Sequence, residues 1–207
     1  MRSRVARNAG KSLALVLLAT LAHAGAGCGY TLQNSENPLR ESEGVDRIYI
    51  APVINNSYKP GVENVVYNSL VKNIAAHRRV LLVKHAEDAD ATLQGTVLTA
   101  RFDEAASTSA NNLQPLNAGP STVTITSAYN AILECNFTLL RKNPRLGQKG
   151  MIWNSNFSRA KPFPAANQLG VLGSTSALIN DSEFDRALSD ISENMMKDVH
   201  ESMLAMF

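Results

Sequence analysis

The residue whose type and setting most clearly point to chemistry is Cys28, because it ends a run of small side chains, Ala24 to Gly27. An apolar stretch of about eleven residues, Ser12 to Ala22, precedes this run, and the first eleven positions carry four basic residues and no acid. A basic start followed by such a stretch is typical of an export signal, and the stretch is well short of the ~20 residues that a membrane-spanning helix needs. We therefore expect cleavage before Cys28 and attachment of lipid to its thiol.

The small residues before Cys28 leave a second interpretation open. Gly25 stands where bacterial lipoprotein signals usually carry leucine or another aliphatic residue. An ordinary secretory signal, cut after Ala24 or Ala26, would leave Cys28 as a plain thiol. The position of the cysteine favours the lipoprotein, and two or three acyl chains, at ~0.8 kcal/mol for each buried methylene group, hold a domain at a bilayer.

Other residue types that commonly carry chemistry lack the spacing that the chemistry needs. His77, His85 and His200 are scattered over a helix end, a loop and the last helix, with no carboxylate or cysteine at metal-ligand spacing. The acidic segment 87–90 lacks the alternating oxygen ligands of a calcium loop, which favours a solvated turn. Cys135 falls on the apolar phase of a strand, which predicts an inert core thiol.

Motifs for catalysis are missing as well. No Gly-x-Ser-x-Gly nucleophile turn occurs, and no glycine-rich loop that could cradle a phosphate. The sequence therefore predicts a protein that is not an enzyme and that uses no metal and no cofactor.

Charge and length limit the class of protein further. The formal net charge is +2, but four of the twenty basic residues lie in residues 1–27, so the remainder has sixteen basic and eighteen acidic residues, a net charge of −2. That balance argues against nucleic acid as a partner. We expect a signal peptide at 1–27, a lipidated N-terminus and tether at 28–44, and one domain at 45–207. With Cys28 lipidated, Cys135 has no disulfide partner.

The elements of the first half follow from hydrophobic spacing. Residues 31–44 show no periodicity, and Arg47 to Val53 reads as a first strand limited by Pro52. Val62, Val66, Leu70 and Ile74 recur at helical spacing and predict a helix that ends near His77. A short strand at 80–83 and a longer one at 91–102 follow, the latter with a slip of apolar phase that indicates a bulge.

The second half contains the clearest β pattern. From Val123 to Leu139 apolar residues alternate with polar ones, which predicts a long strand with one buried face, and 151–157 returns as its hairpin partner with Trp153 and Phe157 inward. Residues 104–121 and 159–180 show no pattern. The last helix is expected from Ser182, with Asp185 completing a capping box. The order predicts an α+β fold in which two helices pack on one face of a four- or five-stranded, mostly antiparallel or mixed sheet.

Several short motifs occur in a definite order. They are Cys28-Gly29-Tyr30-Thr31-Leu32, the strand and turn from Ile48 to Asn56, the helix from Glu63 to Ile74, the segment ADATLQGTV from Ala89 to Val97, the strand from Tyr129 to Leu140, and Ile152-Trp153 before the final helix. This order, which covers nearly the whole chain after the signal, resembles the LptE family of lipopolysaccharide-assembly lipoproteins.

The resemblance implies a function without catalysis. Members of the family sit as a plug inside the large outer-membrane β-barrel LptD, assist its assembly, and help lipopolysaccharide to reach the outer leaflet. It also implies a lipid-anchored location at the periplasmic face of the outer membrane. Gly29 is consistent with this location, because an Asp after the lipidated cysteine commonly signals retention in the inner membrane.

If the family function applies, basic side chains are candidates to contact the phosphates of lipid A. Six lie in the predicted hairpin turn and the loop after it. They are Arg141, Lys142, Arg145, Lys149, Arg159 and Lys161. A basic hairpin that is merely solvated is the alternative.

Two other classes of lipoprotein remain open. CsgG-like lipoproteins and activators of peptidoglycan synthases also begin with a strand, an Asn-containing turn and a helix, but they usually continue with more alternation of helix and strand. A lipid-binding or structural lipoprotein without a barrel partner is the third interpretation. Co-purification of an LptD-type barrel would separate the three.

Overall fold

The computed structural model describes residues 37–111, 122–166 and 175–205. Three α-helices and six strands lie within these ranges. They are α1 (Pro38–Glu43), β1 (Arg47–Ile50), β2 (Ile54–Asn55), α2 (Val62–His77), β3 (Leu81–Val83), β4 (Ala91–Asn111), β5 (Thr122–Arg141), β6 (Met151–Pro164) and α3 (Thr175–Ala205). The predicted signal and Cys28 lie outside the described residues.

One mixed sheet holds all six strands, in the order β3-β1-β4-β5-β6, with β2 paired to β4. The pairs β1–β3, β1–β4 and β2–β4 are parallel and short. The pairs β4–β5 and β5–β6 are antiparallel and much longer. The predicted α+β class is therefore confirmed, with a sheet dominated by antiparallel pairing.

Both long helices cover the same face of this sheet. Helix α2 packs against β4 and against α3, and α3 packs against β5 and β6. The apolar stripe of α2 is buried, and so is the predicted stripe of α3, which comprises Phe184, Leu188, Ile191, Met195, Val199 and Met203. Their spacing of three or four residues puts them on one side of a helix, where they meet the inward residues of the strands.

The inward residues of β5 confirm the predicted alternation. Leu133, Cys135, Phe137 and Leu139 are all buried, whereas the residues between them are partly exposed. The register of β4 against β5 shifts between Val97 and Thr99, which is the bulge that the slip of apolar phase predicted. At Gly95 an added Cβ would lie 2.8 Å from Cε1 of Phe137, so glycine leaves the room that this ring occupies.

Three segments that lacked a sequence pattern are regular structure, so the predictions for them were wrong. Within the expected tether, α1 forms with Pro38 in its first turn and Gly44 in the left-handed conformation at its end, and it buries Leu39. Residues 104–111 continue β4, and 159–164 continue β6. The rest of the expected loops, 112–121 and 167–174, lies outside the described residues.

The start of the last helix and the length of the first strand also differ from the predictions. Helix α3 begins at Thr175, so Ser182 lies inside it and cannot be its cap. Asp185 instead forms an ion pair with Lys59, whose Nζ lies 2.7 Å from Asp185 Oδ1. The run expected as one strand from Arg47 to Val53 ends at Ile50, and pairing resumes at Ile54.

Candidate functional site

The face of the sheet that the helices leave uncovered is lined mainly by polar side chains, with Leu98 exposed at the bulge of β4. Residues that pair across strands point to the same side of a sheet, so the register defines three polar rows on β4, β5 and β6. The rows are Gln94, Thr138 and Asn154; Thr96, Asn136 and Asn156; and Thr99, Glu134 and Ser158. We call these nine residues the polar face.

Hydrogen bonds between side chains organise the polar face. Asn136 donates from its amide to Asn156 Oδ1 at 2.6 Å, and Asn154 donates to the Thr138 hydroxyl at 2.5 Å. Amide and hydroxyl groups can each donate and accept, so this surface can exchange its internal bonds for bonds to another polar surface at little net cost. The arrangement is suited to docking on a polar partner and contains no set of groups for catalysis.

A groove of about 520 Å³ lies on the other side of the sheet, between β6 and α3. Arg159 and Lys161 rise from β6 into it, and each is paired with an aspartate of α3: Arg159 with Asp198, through its Nε at 3.1 Å, and Lys161 with Asp190. The hydrogen bond from Lys161, and then its charge, lower the pKa of Asp190. The groove is lined by basic and acidic side chains, so it can bind a ligand that carries either charge.

The remaining basic candidates lie at the β5–β6 turn. Arg141 is almost buried and donates from Nη1 to the backbone oxygen of Glu43 at 2.6 Å, and it also pairs with the Glu43 carboxylate. Lys142 contacts the backbone oxygen of Glu87 through its ammonium group. Arg145 and Lys149 extend from the exposed part of the turn.

The structure therefore places five of the six predicted contact residues in two separate groups, and Lys149 lines neither. Arg141, Lys142 and Arg145 line one hollow of about 300 Å³, whereas Arg159 and Lys161 line the groove. About eight residues of β6 separate the groups, which corresponds to roughly 25 Å of strand. The sequence could not reveal that the partners of the second group come from α3.

Of the remaining candidate groups, Cys135 lies in the core as the sequence predicted, whereas His200, expected at the surface or at a helix end, is buried. Cys135 is buried, and burial raises the pKa of its thiol to about 12, so it is protonated at neutral pH. His77 and His200, which are far apart in sequence, stack with ring centroids 4.4 Å apart. Within the described ranges no three side chains that could hold a metal ion come together. None of the helices there is long and apolar enough to cross a bilayer.

Comparison with protein families gives one match over most of the chain. The sequence model of the LptE family, described as lipopolysaccharide-assembly, matches residues 45–203. No match is found among curated proteins.

Solved structures of low sequence identity are also similar to this chain. The PelC dodecamer from Paraburkholderia phytofirmans is 11% identical, with a TM-score of 0.45, over 77% of this chain and 88% of that one. The rare lipoprotein B from Shewanella oneidensis is 12% identical, with a TM-score of 0.41, over 78% and 96%. Lipoprotein B from Nitrosomonas europaea is 14% identical, with a TM-score of 0.35, over 76% and 83%.

Proposed function

The chain belongs to the LptE family of lipopolysaccharide-assembly proteins, and from this premise we propose that it is an outer-membrane lipoprotein that fills the lumen of an LptD-type β-barrel. Lipid on Cys28 holds it at the periplasmic side of that membrane. In this position it helps the barrel to assemble and assists the passage of lipopolysaccharide to the outer leaflet. It acts by binding and by shape, without catalysis.

The polar face is the observation that supports this proposal most directly. The lumen of a large outer-membrane barrel is polar, because the residues of its strands alternate between lipid and lumen. A protein that rests against such a wall needs an exposed surface of donors and acceptors rather than an apolar patch. The rows around Asn136 and Asn154 provide this surface on rigid strands, while the helices bury the apolar side.

The groove beside α3 is the part of the molecule that we assign to lipopolysaccharide. Arg159 and Lys161 provide guanidinium and ammonium donors for the phosphates of lipid A, and Ile191 adds an apolar wall. Arg141 is a weaker candidate than the sequence suggested, because its side chain is only 9% exposed and is held by Glu43, whereas Arg159 and Lys161 are about half exposed. Phosphate binding in the groove requires that Asp190 and Asp198 release their partners in exchange.

Affinity purification of the lipidated protein from crosslinked outer membranes, followed by mass spectrometry, tests the barrel assignment. We expect a single LptD-type barrel in stoichiometric amount. Recovery of a peptidoglycan synthase, of a ring of this chain alone, or of no partner would contradict it.

A matched pair of variants tests the lipid assignment. The double variant Arg159→Gln, Lys161→Gln should retain less lipopolysaccharide on the purified protein than the wild type. Lys72→Gln is the control, because Lys72 also loses an exposed ion pair, with Glu193 at 2.9 Å, but its own side chain does not line the groove. Equal retention by all three proteins would remove the groove from the proposal.

A further inference from the structure

The turn between β5 and β6, residues 142–150, combines positive charge with an exposed apolar tip. Its sequence, KNPRLGQKG, contains Lys142, Arg145 and Lys149 and no acidic residue. Leu146 is completely exposed, with a relative accessibility of 107%, and Met151 next to the turn is 55% exposed. A basic loop with an aliphatic side chain at its tip has the composition of an element that binds the surface of a membrane. We call it the basic hairpin.

The base of the basic hairpin is firmly held. The Arg141 amide donates to Gly150 at 2.7 Å, which closes the loop, and the Lys142 amide donates to the backbone oxygen of Asp90 at 3.0 Å. Gly147 has a φ of +89°, which lets the chain reverse next to the exposed leucine. The turn is thus presented by a rigid sheet.

The basic side chains of the basic hairpin form no direct ion pair with neighbouring acidic groups in the described part of the chain. The two carboxylates that line its hollow, Glu43 and Asp90, are each paired with an arginine, Arg141 and Arg47 respectively. The three basic side chains of the turn itself have no carboxylate among the ion pairs of the described residues. Anionic headgroups therefore meet three basic side chains that no carboxylate of the described residues pairs with.

The covalent chain puts the basic hairpin within reach of the lipid anchor. Arg141 is bound to Glu43, the last residue of α1, and α1 begins directly after Asn37. Asn37 lies nine positions after Cys28, which corresponds to at most about 32 Å of extended chain. The six residues of α1 add about 9 Å.

The opposite end of the sheet lies farther from the basic hairpin than the tether from Cys28 can extend. Strand β4 runs from Ala91, beside the basic hairpin, to Asn111, which corresponds to roughly 65 Å of strand. A lipid on Cys28 can therefore hold the hairpin end at the bilayer surface, but it cannot bring the far end of β4 there while the hairpin end points away.

We propose that the basic hairpin projects from the periplasmic rim of the barrel and is a second membrane contact. It docks on anionic glycerophospholipid headgroups in the leaflet that holds the Cys28 lipid, with Leu146 inserted among them. This inference rests on the proposed lipidation of Cys28 and adds a contact that orients the domain. A single anchor leaves a domain free to rotate, whereas two contacts fix which end faces the bilayer. The polar face and the groove then point along the surface or away from it.

Each basic residue near an anionic surface raises membrane partitioning about fivefold at moderate ionic strength. Reversing two of the three charges should therefore reduce insertion of the tip by at least an order of magnitude. Because the attraction is electrostatic, insertion of the unreversed tip should decrease as salt is added, and the difference between the two proteins should shrink.

Fluorescence of an environment-sensitive dye on the tip tests the proposal in the full-length lipidated protein. Leu146→Cys, labelled with nitrobenzoxadiazole, is reconstituted in phosphatidylethanolamine–phosphatidylglycerol vesicles without barrel or lipopolysaccharide. Tyr58→Cys is the matched probe, since Tyr58 is equally exposed, at 103%, and precedes α2 at a distance from the turn. The unlabelled background is measured on the wild type, whose Cys135 is buried.

We expect blue-shifted emission, and quenching by spin-labelled lipid, at position 146 and not at position 58. Adding Arg145→Glu and Lys149→Glu should abolish both signals at 146. No shift at 146, an equal shift in phosphatidylcholine vesicles, or a shift that survives the charge reversal would overturn the proposal. A shift that requires added lipopolysaccharide would assign the turn to lipid A instead.

These results are separable from the proposed function. A tip that stays in water, together with recovery of an LptD-type barrel in the purification above, rejects the hairpin contact alone. Absence of lipid on the Cys28 peptide by mass spectrometry rejects both the anchor and the second contact.

Discussion

The two faces of strands β4, β5 and β6 are built from alternate residues of the same segments, yet they have opposite chemistry. On β5 the residues from Leu133 to Leu139 at odd positions are buried under the helices, and the even positions carry Glu134, Asn136 and Thr138 on the polar face. The covered face stabilises the domain through apolar burial, at ~25 cal/mol for each Å² removed from water. The polar face contributes little to stability, so its residues can be suited to a binding partner without loss of the fold.

The first prediction compares neighbouring residues on the two faces. Phe137→Ala should lower the free energy of unfolding by about 3–5 kcal/mol, because a fully buried ring is lost and a cavity remains. Asn136→Ala should change it by less than about 1 kcal/mol, since Asn136 is hydrogen-bonded at an exposed site. Denaturant unfolding of both variants measures the difference. Similar decreases in the free energy of unfolding would show that the polar face stabilises the domain as much as the covered face does.

The second prediction concerns the helices that cover the apolar face. His200 on α3 is buried and stacks on His77 at the end of α2. Burial, and then electrostatic interaction with His77 and Arg79, lower the pKa of His200 to about 4. The neutral ring is therefore preferred in the folded state, and the unfolded chain binds a proton near pH 6.5. Stability that is present above that pH should decrease as the pH falls towards 4, by at most roughly 3 kcal/mol.

A variant that keeps the aromatic ring isolates this effect. His200→Phe removes the titration and preserves a stacked ring, so its unfolding free energy should decline less between pH 6.5 and 4 than that of the wild type. Thermal or denaturant unfolding at several pH values makes the comparison. Identical pH profiles would show that other groups cause the acid sensitivity of the helix layer.

The third prediction tests how closely the covered face is packed. Gly95→Ala adds a methyl group 2.8 Å from the ring of Phe137 and 3.2 Å from Cγ2 of Val53, so the ring must move, at a cost of about 1–3 kcal/mol. Gly150→Ala is the control, because nothing lies within 4 Å of the added group. If the two variants unfold at the same denaturant concentration, the core beside Gly95 is looser than its geometry indicates.

The difference between the faces also explains which elements the sequence could predict. Helix α2, strand β5 and the bulge after Val97 each border the core, and the core imposes a period on their apolar residues. The segment 104–111 is strand all the same, but the side chains of 104–109 are all exposed, so these residues need not alternate. Backbone hydrogen bonds to β5 hold this segment in the sheet, and such bonds do not depend on residue type, so the sequence does not predict them.

Helix ends and ion pairs were missed for related reasons. Helix α3 starts at Thr175, but Leu178 and Ile179 are exposed and the apolar period begins only at Phe184, where the helix reaches the sheet. The sequence therefore placed the start too late. The pair between Arg159 and Asp198 joins residues 39 positions apart, which only the packing of α3 on β6 brings together.

The final prediction uses the polar face to separate binding from stability. Asn156→Glu adds a negative charge in the middle row of this face, where Asn156 accepts a hydrogen bond from Asn136. The free energy of unfolding should change by less than about 0.5 kcal/mol, as is usual at exposed sites. Barrel recovered with the lipidated protein should nevertheless fall strongly, because a charge buried against a polar wall needs a partner that the wall does not provide.

Ser189→Glu is the control for this effect, since Ser189 is exposed on α3 and the substitution adds the same charge on the other side of the domain. It should leave the recovery of the barrel close to that of the wild type. If both variants lose the barrel equally, the wall surrounds the domain and the polar face is not its main contact. If neither variant loses the barrel, the polar face does not bind it. The covered face would then still stabilise the domain, but the polar face would have no binding role.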